Sequence, residues 1–132
     1  MPSKREIVQE WLEKGEHDFA IAKLGFTAGG PNDTIAVLIQ QTAEKYLKGY
    51  LISRGWHLKK THNLVELIDV ACTYNPVFGS YGHFAERLTA IYIDERYPSG
   101  SPSGYSTSEI ASLVQQAEKL MALVRQETET LP

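Results

Sequence analysis

Apolar side chains recur along this chain at alternating steps of three and four, the spacing that stacks residues on one face of an α-helix. Val8, Leu12, Gly15, Phe19, Ala22 and Phe26 set the pattern in the first segment, with Trp11 widening the stripe. A helix from about Lys4 to Phe26 follows, ended by Gly25, Gly29, Gly30 and Pro31. The next helix, with Asn32 or Asp33 as its cap, runs to about Arg54. Its apolar positions, Ile35, Ala36, Ile39, Ala43, Tyr46, Leu47, Tyr50 and Leu51, cover nearly half its circumference, and Val37, Leu38 and Ile52 lie outside that arc. A helix apolar on more than one side is packed on more than one side, so this is the expected central helix and a contributor to a dimer interface.

Gly55 closes that helix and Trp56 to Lys60 connects to a short third one, capped by Thr61 or Asn63 and carrying Leu64, Leu67, Ile68 and Ala71. The stripe stops near Asn75 and Pro76. A fourth helix starts near Gly79 and carries Phe84, Leu88, Ile91 and Tyr92 before Pro98. Ser99 to Gly104 reads as loop. Ser106 and Glu109 have capping-box spacing before a last helix with Ile110, Leu113, Ala117, Leu120 and Val124. No strand alternation and no internal repeat is present. The pattern predicts one all-α domain over residues 1–132, an up-and-down antiparallel bundle of four long helices plus one short.

Composition narrows the class. With 42% hydrophobic and 22% charged residues the chain is an ordinary globular one. No apolar run approaches the roughly 20 residues of a membrane span, and the start leads straight into an amphipathic pattern without a secretory signal, so the expected compartment is the cytoplasm. Cys72 is the single cysteine and excludes an internal disulfide. The four histidines show no HxxH or HExxH spacing, so neither metal nor cofactor is expected. A pI near 5.8 argues against broad nonspecific binding to nucleic acid but leaves room for a local site.

Such a site is indicated by charge. The net charge is −3, yet no acidic residue lies between Glu44 and Glu66, where Lys45, Lys48, Arg54, His57, Lys59, Lys60 and His62 cluster. Glu44 and Lys48 can pair at i, i+4, whereas Lys45 has no such partner at Gln41 or Gly49 and is the freer cation. His62 stands before a helix start, where backbone N–H groups favour anions, or else serves as a cap or packing residue. Arg96, at a helix end between Tyr92 and Tyr97, can complement the macrodipole or hold a phosphate. The two tyrosines are either core or platforms for a nucleobase. If folding joins the segments, Lys45, Lys48, His62, Arg96, Tyr92 and Tyr97 form a cleft for a phosphate-bearing ligand. A solvated basic face is the plain alternative.

Three ordered pieces carry a family likeness: Gln40 to Leu51, then Lys60-Thr61-His62-Asn63-Leu64, then Glu95-Arg96-Tyr97-Pro98. With the opening helix they resemble the HEPN domain (higher eukaryotes and prokaryotes nucleotide-binding), from about residue 8 to 125. The resemblance implies a helical bundle, usually a homodimer, often encoded beside a small nucleotidyltransferase. Members are linked to nucleotide binding, RNA cleavage and toxin–antitoxin pairs.

One departure bears on activity. Ribonucleases of this family carry an arginine followed after four to six residues by a histidine. Arg96 matches the arginine, but no histidine follows it anywhere in the chain. Cleavage through the ribose 2′-hydroxyl needs a proton acceptor and donor titrating near neutrality, and His62 can substitute only if the fold brings it beside Arg96. The reading is therefore a protein that binds a nucleotide or RNA phosphate with a nucleotidyltransferase-like partner and without catalysis of its own. The alternatives are a metal-independent ribonuclease toxin and a non-catalytic interaction module.

Overall fold

A computed structural model describes residues 1–96 and 104–129. Its described part is all helical: α1 (Lys4–Ala28), α2 (Asn32–Ser53), α3 (Leu64–Tyr74), a 3₁₀ segment (Pro76–Tyr81), α4 (Gly82–Arg96) and α5 (Thr107–Thr128). The expected class, an all-α bundle with one short helix among longer ones, is the one observed.

The helix starts follow local chemistry, with two corrections. Ser3 and Glu6 form a complete capping box at α1 that the apolar pattern did not flag. Asn63 caps α3 by accepting from the Glu66 N–H at 3.2 Å, and Ser106 caps α5 by accepting from the Glu109 N–H at 3.1 Å. The Glu109 carboxylate is committed to Arg87 through bonds of 3.0 and 2.8 Å, and that guanidinium holds the carboxyl below its usual range. At α2 the expected caps do not act: Pro31 occupies the cap position without a side-chain bond. Asn32 instead donates to the Tyr105 carbonyl at 2.8 Å, tying the start of α2 to the approach to α5. The fourth helix begins later than expected, because Pro76 and the Asn75 side chain start a 3₁₀ turn that buries Phe78.

Helix α2 is central, packed against α1, α3, α4 and α5. Ile35, Ala36, Ile39, Ala43, Tyr46, Leu47, Tyr50 and Leu51 are all buried. Its broad apolar arc is thus consumed within the chain, and Tyr46 and Tyr50, expected to support a dimer interface, are core residues here. The seam with α1 is close. A Cβ added at Gly15 would come within 2.8 Å of the Tyr46 ring, and one at Gly49 within 3.0 Å of Leu12 and 3.2 Å of Trp11. Glu127 on α5 clamps the far end of the bundle, accepting from Tyr50 (3.2 Å) and Asn75 (3.1 Å) and pairing with Arg54 (3.5 Å). Among the described residues no helix is long and apolar enough to cross a membrane.

Candidate functional site

Three elements converge on one cleft. The Thr89 hydroxyl on α4 accepts from the Leu64 N–H at 3.1 Å and donates to the Ala85 carbonyl at 2.8 Å, pinning the start of α3 to α4. That anchor places His62, two residues before Leu64, against Tyr92, one turn beyond Thr89. The two rings stack with centroids 4.5 Å apart and planes 17° from parallel. The Arg96 guanidinium lies 5.5 Å from the same tyrosine ring, within cation–π range. Val37, Gln40, Gln41, Glu44, Lys45, His62, Tyr92, Glu95 and Arg96 line the cleft, whose volume is about 420 Å³.

Glu44 organises its floor. One carboxylate oxygen accepts from Gln40 Nε2 at 2.9 Å and faces His62 Nδ1 at 2.9 Å; the other accepts from Lys48 Nζ at 3.0 Å. A carboxylate only accepts, so His62 Nδ1 carries a proton in this bond. Behind the lining residue Glu95, the buried Tyr105 donates its hydroxyl to that carboxylate at 2.8 Å. Burial, reinforced by that bond, pushes the Tyr105 phenol well above its ordinary value and keeps it a donor.

The sequence candidates are sorted differently by the fold. His62, Tyr92, Arg96 and Lys45 do meet in the cleft. Lys45 is not the freer cation: Asp18, from the adjacent helix α1, pairs with it. Lys48 is not a surface cation either, since its side chain is 6% exposed, bonded to Glu44 and 5.9 Å from the Trp11 ring centroid. It supports the cleft from behind. Tyr97 lies outside the described residues. Arg54, expected in the basic cluster, is paired with Glu127. The cluster is thus divided: Lys45, Lys48 and Arg54 are each paired with a carboxylate, while His57, Lys59 and Lys60 lie on the exposed connection leading into His62. Sequence reasoning missed Asp18, Gln40 and the central role of Glu44. Gln40 sits one place past Ile39 beside the apolar stripe of its helix, and Asp18 borders the stripe between Gly15 and Phe19; these were the available signals.

A larger hollow of 690 Å³ opens between α1 and α5, lined in part by Glu13, Glu16, Glu129 and Arg125. Three carboxylates against one arginine disfavour an anion, and none of the sequence candidates lies there. Among the described residues no group of three or more His, Cys, Asp or Glu side chains is placed to hold a metal.

A helical bundle with an Arg, a His and a Tyr gathered at the junction of its central helix and the two that follow defines the class, and the family comparison agrees. The HEPN domain model matches residues 8–127, and the chain belongs to that family. The crystal structure of TT1696 from Thermus thermophilus is 27% identical, covers 91% of this chain and 97% of its own, and superposes with a TM-score of 0.76. ST0689, described as an archaeal HEPN homologue, is 25% identical over 92% of this chain and 97% of its own, with a TM-score of 0.73. Comparison with curated protein sequences gives no match.

Proposed function

We propose that this HEPN protein binds a nucleotide or an RNA phosphate in the α2–α3–α4 cleft, in the cytoplasm, without catalysis of its own. The observation that carries the reading is Arg96, which pairs with no carboxylate among the described residues and stands beside the stacked His62 and Tyr92 rings. A phosphate on the guanidinium and a base beside the aromatic pair suit a nucleotide. The cleft is less basic than the sequence cluster, because Lys45, Lys48 and His62 each face a carboxylate. Affinity therefore rests on Arg96 and on the share of Lys45 that Asp18 leaves available.

A nucleoside phosphate present at about 100 times its Kd should stabilise the fold by about 2.7 kcal/mol and raise the melting temperature by several degrees. Arg96→Ala should remove that shift. Asp18→Asn should enlarge it relative to its own ligand-free melt, because Lys45 then turns to the ligand. Calorimetry showing no binding of nucleotides or short RNA would reject the cleft reading in favour of a pure interaction module.

The family resemblance extends the proposal to a homodimer working with a small nucleotidyltransferase in a toxin–antitoxin-like pair. Tyr46 and Tyr50 cannot close such a dimer, being buried within the chain. Light scattering over a dilution series should report about twice 14.8 kDa; a monomer at micromolar concentration would remove the dimer from the proposal.

A second reading, metal-independent RNA cleavage, is favoured by one observation. The Glu44–His62 bond orients an imidazole in the cleft that holds Arg96. A carboxylate fixing a histidine tautomer is how a general base is prepared.

A further inference from the structure

Lys45 forms a wall of two hollows. One is the cleft; the other, about 410 Å³, is lined by Ile7, Glu10, Trp11, Lys14 and Lys45. Each hollow has its own aromatic surface: Tyr92 with His62 in the first, Trp11 in the second. Trp11 is half-buried and held firmly, with Lys48 Nζ 5.9 Å from its ring centroid and its Cβ beside Gly49 in the close seam of α1 and α2. The order across the surface is therefore aromatic, cation, aromatic. A single mononucleotide, with one base, leaves half of that arrangement empty. Two successive nucleotides would occupy both hollows, with the linking phosphate at the cation they share.

Resting on the phosphate-binding reading above, we infer that the site continues past Lys45 to Trp11 and that its ligand is a single-stranded nucleic acid of at least two nucleotides. One base lies against Tyr92 and His62, the next lies against Trp11, and their linking phosphate meets Lys45. Lys45 can serve because Asp18 engages one of the ammonium's three N–H donors. Bases in a duplex are already stacked and paired, so aromatic surfaces of this kind select unpaired strands. Trp11 is the residue that separates a strand from a mononucleotide.

The test titrates the full chain by calorimetry with AMP and with a 2′-O-methyl hexa-adenylate, which cannot be cut through its 2′-oxygen. The hexamer should bind at least about tenfold tighter than AMP, the lower range of one added base–aromatic stack. Trp11→Leu, which keeps an apolar side chain at the α1–α2 seam, should weaken the hexamer by about tenfold and leave AMP unchanged, while Arg96→Ala weakens both. In Trp56→Phe protein Trp11 is the remaining tryptophan, and its fluorescence should be quenched by the hexamer and not by AMP. Equal affinities for the two probes would overturn the inference while leaving nucleotide binding intact. So would a Trp11→Leu variant that binds the hexamer as well as the parent, or loses AMP to the same degree. Failure of both probes to bind would instead reject the underlying phosphate site, and this inference with it.

Discussion

Replacing Glu44 with alanine is expected to cost about 3–5 kcal/mol of stability, the range seen when one member of a buried ion pair is removed. The Glu44 and Lys48 side chains are 13% and 6% exposed, and the Lys48 ammonium lies 3.0 Å from the carboxylate. Without Glu44 that ammonium keeps the Trp11 ring at 5.9 Å as its remaining described neighbour, a contact worth about 2 kcal/mol at best. Gln40 and His62 lose an acceptor at the same time. Urea unfolding of the wild type, Glu44→Ala, Lys48→Met and the double variant forms a closed cycle. The double variant should regain most of the loss, because it leaves no stranded charge and an unbranched apolar chain of similar length. A loss below about 1 kcal/mol, or a double variant no better than Glu44→Ala, would show that water reaches Lys48 and that the pair is a surface one in effect.

Purified protein in a metal-free buffer with EDTA is expected to bind RNA without cutting it. Cleavage through the 2′-hydroxyl requires one group to take a proton while another gives one. Among the described residues lining the cleft, His62 is the one histidine, the side-chain type best suited to both tasks. Glu44 is engaged by three donors, and Arg96 stays charged and cannot act as the acid. General acid–base help supplies roughly 10²–10⁴-fold of rate, so a cleft lacking half of it should leave cleavage near background. Arg96 can still hold a phosphate and stabilise developing charge. Ser101→His restores the histidine spacing of the family's ribonucleases at a position outside the described residues, and should produce weak cleavage that depends on Arg96. The comparison uses structured and single-stranded RNAs. Wild-type cleavage that vanishes in both Arg96→Ala and His62→Ala would reverse the ranking and make His62 the base.

Much of the architecture was legible before the fold was known, for a local reason. Helix periodicity, the caps at Asn63 and Ser106, and the breaks at Gly29–Pro31 and Asn75–Pro76 depend on neighbours within four residues. At two helix starts a distant group had intervened. Asn32 left its expected capping role for the Tyr105 carbonyl, and the Glu109 carboxylate is held by Arg87.

The site divides in the same way. Its ingredients, a basic segment from Lys45 to His62 and an arginine among tyrosines at the end of α4, are properties of residue type and order, and so is the family likeness they carry. Their charge state as a site is not. Asp18, 27 residues from Lys45 along the chain, pairs with it and takes part of its charge, and α1 and α2 bury Lys48 against Glu44 and Trp11. Coulomb interactions act through space, so which cations remain for a ligand is set by which carboxylates the packing brings near. The sequence by itself determined the helical pattern, the family and the basic and aromatic residues on offer. The tertiary structure decided that His62, Tyr92 and Arg96 share one cleft, that Arg96 pairs with no carboxylate among the described residues, and that Trp11 lines a neighbouring hollow across Lys45, because those distances exist only once α1, α3 and α4 are packed on α2.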